Sequence, residues 1–227
     1  MTVGAETPAG RWASFDCYGT LVDWHGGVRG ELARIWPDVD ADSLLRRYHA
    51  IEPEVQAGRG IPYRDVMAET LAGVAAAEGL ALPPGEADAL GRSLPAWRVF
   101  PEVPEALRKV RARGWRLAIL SNTDRDLLDA SLRSIGVPVD LTVVASEIGS
   151  YKPAHGHWTA FSRRSEAAHD RHVHVTASLF HDIEPAAELG LTAVWIDRDG
   201  ASSDLPRAAT LPDLTHLPDS LDALVPG

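Results

Sequence analysis

RWASFDCYGTLVD, residues 11–23, is the stretch that decides the fold. It begins with a short apolar run that ends in the acid Asp16, and Gly19 follows as a turn residue. An apolar run followed by an acid and a glycine turn is typical of a buried strand whose carboxyl end opens into a site. The pattern therefore predicts a first strand that ends at a functional carboxylate.

Strand and helix patterns alternate from residue 101 to the end of the chain. The predicted strands are RLAILSN (116–122), LTVVAS (141–146), HVHVTASLF (172–180) and TAVWIDR (192–198), with helical segments between them. Continuous apolar strands alternating with helices predict a doubly wound parallel α/β sheet, covered on both faces. In such sheets the site lies at the carboxyl ends of the strands.

Residues 24–97 show only helical spacing, broken at Gly and Pro. They predict an all-helical insert of about four helices. The expected domains are a core formed by residues 1–23 and 98–227, and the insert formed by residues 24–97.

Composition narrows the possible partners and location. The 227 residues carry 22 Lys and Arg against 32 Asp and Glu, a net charge of −10, which predicts no nucleic-acid or anionic-membrane partner. Cys17 is the single cysteine, so no intrachain disulfide forms, which fits a reducing compartment. The opening MTVGAETPAG lacks signal-peptide features, and no run approaches the roughly 18 apolar residues of a membrane helix. We expect a soluble, cytoplasmic protein.

Polar side chains follow four of the predicted strands. Because parallel strands end at the same edge of a sheet, these groups are expected to converge on one crevice. They are Asp16, Tyr18, Thr20, Ser121, Asn122, Lys152, His181 and Asp182.

Four ordered segments resemble the motifs of the haloacid dehalogenase superfamily. FDCYGTLVD looks like its first motif, LSNTD its second, YKPA its third and HDIEPAAELGL its fourth. The resemblance covers nearly the whole chain after residue 10, and the insert is similar to the superfamily's helical cap. It implies a Rossmann-like core in which Asp16 is a nucleophile that forms a covalent ester.

At two positions this chain differs from the phosphatases of the superfamily, and the differences indicate which branch of the superfamily it resembles. Those enzymes usually carry a second Asp two residues after the nucleophile, as an acid for the leaving alkoxide, and this chain has Tyr18 there. They usually also have a metal-binding acid four or five residues before the last Asp, where this chain has Ser178 and Ala177. The D-x-Y-G-T-L form instead resembles the L-2-haloacid dehalogenase (type II) branch, whose chemistry requires no metal or other cofactor.

The resemblance implies catalytic roles for strand-end residues. Asp16 attacks the carbon that bears the halogen, Lys152 keeps Asp16 ionised, and Asp182 activates the water that cleaves the ester. The groups expected to hold the carboxylate of a small anionic substrate are Thr20, Ser121 and Asn122. Tyr18 is expected either to contact the substrate or to pack under the cap.

The resemblance also implies that the cap supplies an arginine to hold the halide or the substrate carboxylate. That arginine is expected 31 residues after the nucleophile, where this chain has Arg47 (47 − 16 = 31) beside Arg46. The alternative is that both arginines form solvated ion pairs on an amphipathic helix.

Three further positions depart from the branch. It usually has a Tyr six residues after the Lys of the third motif, where this chain has Trp158, and an Asn where this chain has Leu179. His181 precedes the last Asp and is expected to be either a base or a structural donor. Trp158 is expected either to contact the substrate or to pack in the core.

The leading hypothesis is hydrolysis of the carbon–halogen bond of a short 2-haloacid, giving the 2-hydroxy acid and halide. The alternatives are a magnesium-dependent small-molecule phosphatase and a non-catalytic ligand-binding relative. The resemblance also implies a possible homodimer. Two histidine pairs have the spacing of metal ligands, but nothing completes a zinc set, so exposed or strand positions are expected instead; the pairs are His155/His157 and His172/His174.

Overall fold

The computed structural model describes residues 10–227. Its strands are β1 (Arg11–Phe15), β2 (Trp115–Ser121), β3 (Leu141–Val144), β4 (His172–Thr176), β5 (Thr192–Ile196) and β6 (Ala209–Leu211). They form one sheet in the order β3-β2-β1-β4-β5-β6, and every neighbouring pair is parallel.

The α-helices of the described residues lie between and beside these strands. They are α1 (Trp24–Ile35), α2 (Ala41–Gln56), α3 (Tyr63–Ala77), α4 (Ala89–Ser93), α5 (Val103–Ala112), α6 (Arg125–Ile135), α7 (Ala145–Ile148), α8 (Gly156–Ser165), α9 (Glu184–Glu188) and α10 (Leu217–Leu224). Short turns of helix occur at Leu94–Ala96, His169–Arg171 and, as a π-helix, Leu179–Ile183.

Both faces of the sheet are buried, as β2 illustrates. Leu117 and Ile119 belong to the largest apolar cluster, whereas Ala118 and Leu120 belong to a second cluster. Because successive side chains of a strand point to opposite faces, the two clusters cover the two faces of the sheet. The predicted doubly wound parallel core is confirmed.

The helical cap is formed by α1 to α4, which follow β1 without an intervening strand. The chain leaves and re-enters the core side by side. The amide of Asp23 donates to the carbonyl of Arg98 at 2.8 Å, and the amide of Phe100 donates to the carbonyl of Leu21 at 3.0 Å. The predicted divisions after residues 23 and 97 lie at this junction and stay predictions. Residues 1–9 of the predicted core lie outside the described residues.

Several predicted boundaries differ from the structure. β4 ends at Thr176, because the Ser178 hydroxyl accepts from the His181 amide and begins the π-helix. The helix between β3 and β4 that covers the second face of the sheet, α8, begins at Gly156 after a turn. The short elements α7 and β6 were not predicted, since segments of three or four residues carry little periodicity. Within residues 10–227, none of the helices has the length and apolar character needed to span a bilayer.

Candidate active site

A cleft of about 910 Å³ lies between the carboxyl ends of the strands and the cap, where doubly wound sheets bind ligands. The core and the cap both contribute polar side chains to its walls. From the core these include Asp16, Tyr18, Ser121, Asn122, Lys152, His181, Asp182 and Arg198, and from the cap His25, His49, Glu52 and Gln56.

Lys152 occupies the centre of the site and is buried. Its ammonium donates to Asp16 Oδ1 at 2.8 Å, to Asp182 Oδ1 at 2.8 Å and to the carbonyl of Leu120 at 2.9 Å. All three N–H donors are therefore used. Burial alone would lower the pKa of Lys152, but the attraction of the two carboxylates and their hydrogen bonds outweigh it and raise the pKa. Lys152 is a fixed cation between two acids.

Asp16 is oriented through both of its carboxylate oxygens. Oδ1 accepts from Lys152, and Oδ2 accepts from the Thr20 hydroxyl at 2.9 Å. The Thr20 oxygen in turn accepts from the Ala177 amide at 2.9 Å. Thr20 is fully buried and does not line the cleft, so it positions Asp16 and does not contact a ligand. Each oxygen of Asp16 keeps lone-pair capacity for attack.

Asp182 is fully buried and lies at the start of the fourth motif. Oδ1 accepts from Lys152 and from His174 Nε2, both at 2.8 Å, and Oδ2 accepts from the Thr176 hydroxyl at 3.1 Å. Burial alone would raise the pKa of Asp182, but Lys152 and His174 hold it well below its usual range. One acceptor position remains, on Oδ2.

Ser121 and Asn122 both line the cleft but differ in their partners. The Ser121 hydroxyl is buried and has no hydrogen-bond partner among the described residues, so it is free for a ligand. The Asn122 amide instead donates to the carbonyl of Lys152 at 2.9 Å and accepts from its amide at 2.7 Å. Asn122 therefore holds the main chain of Lys152, where a direct substrate contact was expected.

Tyr18 lines the cleft, but its hydroxyl is hydrogen-bonded to Ser131 and not to Asp16. It lies 3.1 Å from the Ser131 hydroxyl, which itself donates to the carbonyl of Leu127. Burial raises the pKa of Tyr18. The phenolic proton is thus committed to Ser131 and is not positioned as an acid for a leaving group.

His181 and Leu179 also line the cleft, on the π-helix. His181 Nδ1 lies 3.2 Å from the Ser178 hydroxyl, and burial lowers the pKa of the ring. The imidazole facing the cleft is therefore neutral at pH 7.

The structure does not bring Arg47 to the cleft. Its side chain is 49% exposed and pairs with Glu78 at 2.8 Å, while Arg46 is 72% exposed. The reason is the rotation of α2, which turns His49, Glu52 and Gln56 toward the cleft at helical spacing and leaves both arginines in solvent. Arg47, which was expected to hold the halide or the substrate carboxylate, instead forms an ion pair with Glu78 at the surface.

Trp158 is likewise absent from the walls of the cleft. It packs in the second apolar cluster beside Ala118 and Phe161, because α8 lies against that face of the sheet. Of the two positions expected for Trp158, the structure shows packing in the core and not a place in the wall of the cleft.

Three residues of the site were not singled out from the sequence as site residues. His174 contacts Asp182, and its signal was the polar alternation of HVHVT. Arg198 lies two residues after the end of β5 and donates to the carbonyl of Thr20 at 2.7 Å. Glu52 accepts from the Tyr63 hydroxyl at 2.9 Å, and burial raises the pKa of Glu52 to about 7. Nothing in a single sequence shows which face of α2 carries Glu52 inward.

The donor set does not fit a divalent metal. Among residues 10–227, no group of three or more His, Cys, Asp or Glu is placed to hold an ion. The carboxylate oxygens of Asp16 and Asp182 all accept protein donors, and the Lys152 ammonium occupies the position between the two acids. A hard cation requires several free oxygen ligands at that position.

Comparisons with known proteins agree with this geometry. A profile of the family described as haloacid dehalogenase-like hydrolase matches residues 11–190. Haloacetate dehalogenase H-2 of Moraxella sp. (strain B) is 29% identical over 211 residues, which cover 89% of this chain and 91% of that protein. (S)-2-haloacid dehalogenase 4A of Burkholderia cepacia is 26% identical over 217 residues, 93% of this chain and 92% of that protein.

A solved structure has the same fold. The crystal structure of the L-2-haloacid dehalogenase RSc1362 superposes with a TM-score of 0.85 at 24% identity, covering 94% of this chain and 99% of that one. The family profile includes every strand-end residue from Asp16 to Asp182. The chain therefore belongs to the haloacid dehalogenase-like hydrolase family.

Proposed function

We propose that the protein is an L-2-haloacid dehalogenase, which hydrolyses the carbon–halogen bond of a short 2-haloacid through an ester at Asp16. The observation that carries the proposal is the Lys152 ammonium held at 2.8 Å from both Asp16 and Asp182, with the Tyr18 hydroxyl hydrogen-bonded to Ser131. This set contains a nucleophile, a cation and a base, but no acid placed to protonate an alkoxide that leaves while Asp16 attacks. The names of the relatives support the same activity.

In the first half-reaction an oxygen of Asp16 attacks the carbon that bears the halogen. The new C–O bond forms as the carbon–halogen bond breaks, and the halide leaves with the electron pair. Lys152 keeps Asp16 ionised, and Thr20 fixes the carboxylate plane. Because halide leaves as an anion, this step requires neither a general acid nor a metal.

In the second half-reaction water attacks the carboxyl carbon of the Asp16 ester. Asp182 accepts the proton of that water on Oδ2, its remaining acceptor position. As the ester C–O bond between Asp16 and the product breaks, Asp182 returns its proton to the departing alkoxide oxygen, and the 2-hydroxy acid leaves. Asp16 retains one oxygen from water, and its carboxyl group loses the second water proton to solvent and becomes ionised again.

Arg198 is the candidate anchor for the substrate carboxylate. Its guanidinium lies 3.5 Å from the centre of the Phe100 ring, and Nη2 donates to the carbonyl of Thr20 and to Glu102. Nη1 makes no hydrogen bond within the described residues, and the side chain lines the cleft. Arg198 and the Ser121 hydroxyl would together hold a monoanionic carboxylate, in place of Arg47.

The test is halide release from chloroacetate and L-2-chloropropionate, with EDTA present, by the wild type and Asp16→Asn. Halide from the wild type and none from Asp16→Asn is the expected result. Asp219→Asn, an exposed acid of α10, is the matched control and keeps wild-type turnover. A single turnover in ¹⁸O-labelled water should place the label in Asp16.

The alternative phosphatase is distinguished in the same assay. Magnesium-dependent hydrolysis of an aryl phosphate, abolished by chelator and without halide release, contradicts the proposal. Anion binding that survives Asp16→Asn without any turnover would instead identify a binding protein. The cytoplasmic location and the homodimer stay predictions from the sequence.

A further inference from the structure

A row of buried polar side chains, here called the polar seam, lies on one face of β4 next to Asp182. His172, His174 and Thr176 alternate with Val173 and Val175 along β4, so the three polar side chains share one face. All three polar residues are buried, with exposed fractions of 3% or less. An apolar strand would fill this space without needing hydrogen-bond partners, so packing alone does not explain the seam.

Ser14 joins the two histidines into one chain. It lies opposite His174 in the register of β1 with β4. Its hydroxyl is 2.7 Å from His172 Nε2 and 2.8 Å from His174 Nδ1, and His174 Nε2 is 2.8 Å from Asp182 Oδ1. Four buried side chains therefore form a continuous hydrogen-bonded relay that ends on Asp182.

The direction of each hydrogen bond follows from its end point. A carboxylate only accepts, so His174 Nε2–H donates to Asp182. When Nε2–H is the ring proton of His174, Nδ1 accepts from the Ser14 hydroxyl, and Ser14 accepts from Nε2–H of His172. Burial lowers the pKa of His172 to about 3, which keeps that ring neutral. This arrangement of protons gives each of the three hydrogen bonds of the relay one donor and one acceptor.

Aromatic side chains hold both rings in place. Trp158 meets His174 edge-on at 5.7 Å between ring centres, and Phe161 packs on His172 at 4.3 Å. His174 is packed and also hydrogen-bonded on both ring nitrogens, so it has little freedom to rotate. The relay therefore presents a fixed donor to Oδ1 of Asp182.

We propose that His174, held by Ser14 and His172, is a positioning residue for Asp182 that serves ester hydrolysis and not halide displacement. The inference rests on the proposed function of the same site. With Oδ1 saturated by Lys152 and His174, the water proton is directed to Oδ2. Attack by Asp16 uses Lys152 and Thr20. Lys152 meets the relay only at Asp182, and within the described residues the Thr20 hydroxyl is hydrogen-bonded to Asp16 and the Ala177 amide and not to the relay.

Rapid-quench halide release separates the two half-reactions. For His174→Leu we expect a first halide per site at the wild-type rate, followed by steady-state turnover slowed by at least about tenfold. The ester should accumulate on Asp16 and be visible as added mass on its peptide. His174→Gln, which keeps an N–H toward Asp182, should restore most of the steady-state rate, and Ser14→Ala should lie between the two.

Val173→Ala is the matched control, because it removes packing from the opposite face of the same strand. It should keep the wild-type ratio of burst rate to steady-state rate. If His174→Leu does not fold, Ser14→Ala is used in its place, because it removes only one oxygen atom. It should likewise slow the steady state and leave the burst rate unchanged.

Two outcomes overturn the inference and are distinguishable. Equal slowing of the burst and the steady state in the relay variants, or no slowing of either, overturns the inference alone. Absence of halide release from the wild type overturns the proposed function, and the inference falls with it.

Discussion

Arg198 and Arg47 present two different environments for a guanidinium. Arg198 is partly buried in the cleft, beside the loop that carries Asp16, whereas Arg47 forms a solvent-exposed pair with Glu78. A charge-assisted hydrogen bond in a partly buried site contributes more than an exposed ion pair, whose typical value is about 0 to 1 kcal/mol. The two side chains should therefore differ in their effect on substrate binding.

We expect Arg198→Met to raise KM for a haloacid by about tenfold or more, the equivalent of one charge-assisted hydrogen bond. Arg47→Met should leave KM within about twofold, as expected for an exposed pair. Initial rates of halide release over a range of substrate concentrations measure both. The reverse order of effects would show that the cap rotates Arg47 onto the bound substrate.

At the scale of single elements, α3 depends on the core for its N-terminal cap. Pro62 precedes the helix and makes no side-chain cap. The buried carboxylate of Asp124, in the loop after β2, instead accepts from the amides of Tyr63 at 2.9 Å and Arg64 at 3.1 Å. An acid at this position satisfies amides that would lack partners and interacts favourably with the helix dipole. It also ties the cap to the core.

Asp124→Ala should lower the free energy of unfolding by about 1 to 2 kcal/mol, the usual cost of a lost cap. Denaturant unfolding followed by circular dichroism measures the change. Asp126→Ala is the control two residues away, since Asp126 is 64% exposed and pairs with Arg64 at the surface. Its cost should stay below about 1 kcal/mol. Equal losses would indicate that α3 does not need the Asp124 cap.

At the scale of the whole molecule, buried titratable groups make stability depend on pH in opposite directions. Burial lowers the pKa of His157 and His172 to about 3, so both favour unfolding as pH falls below their ordinary range. Burial raises the pKa of Glu52 to about 7 from 4.5. The folded protein then binds more protons than the unfolded chain between these two values, and stability falls as pH rises through that window.

Glu52→Gln isolates the second effect, because the amide oxygen still accepts from the Tyr63 hydroxyl. Relative to this variant, the wild type should lose about 3 kcal/mol of unfolding free energy between pH 4.5 and pH 8. Denaturant titrations at the two pH values give the difference and cancel the contribution of the histidines. Glu54→Gln, exposed on the same helix, is the control. A wild-type to variant difference that does not change with pH would contradict a buried, protonated Glu52.

The charge of the cleft is also a property of the whole molecule. Among the described residues that line it, the cations are Lys152 and Arg198, and carboxyl groups outnumber them. A dianionic phosphate meets a less favourable field there than a monoanionic haloacid. This balance could not be read from the net charge of the chain, because it depends on which acids face inward.

The sequence by itself determined the architecture and the centre of the site. Strand periodicity and alternation with helices predicted the parallel sheet. Since parallel strands end at one edge, they also predicted that Asp16, Ser121, Lys152 and Asp182 would meet there. These features depend on local hydrophobic periodicity and on the order of strands and helices, and both can be read from a single sequence.

Only the tertiary structure decided the surroundings of that centre. The rotation of α2 turned Glu52 inward and Arg47 outward, and the register of β1 against β4 placed Ser14 beside His174. Helix rotation and strand register are set by packing between segments far apart in the chain, so local spacing does not specify them. The position of the proposed nucleophile Asp16 follows from the sequence, while the contacts that hold Asp182 follow from the fold.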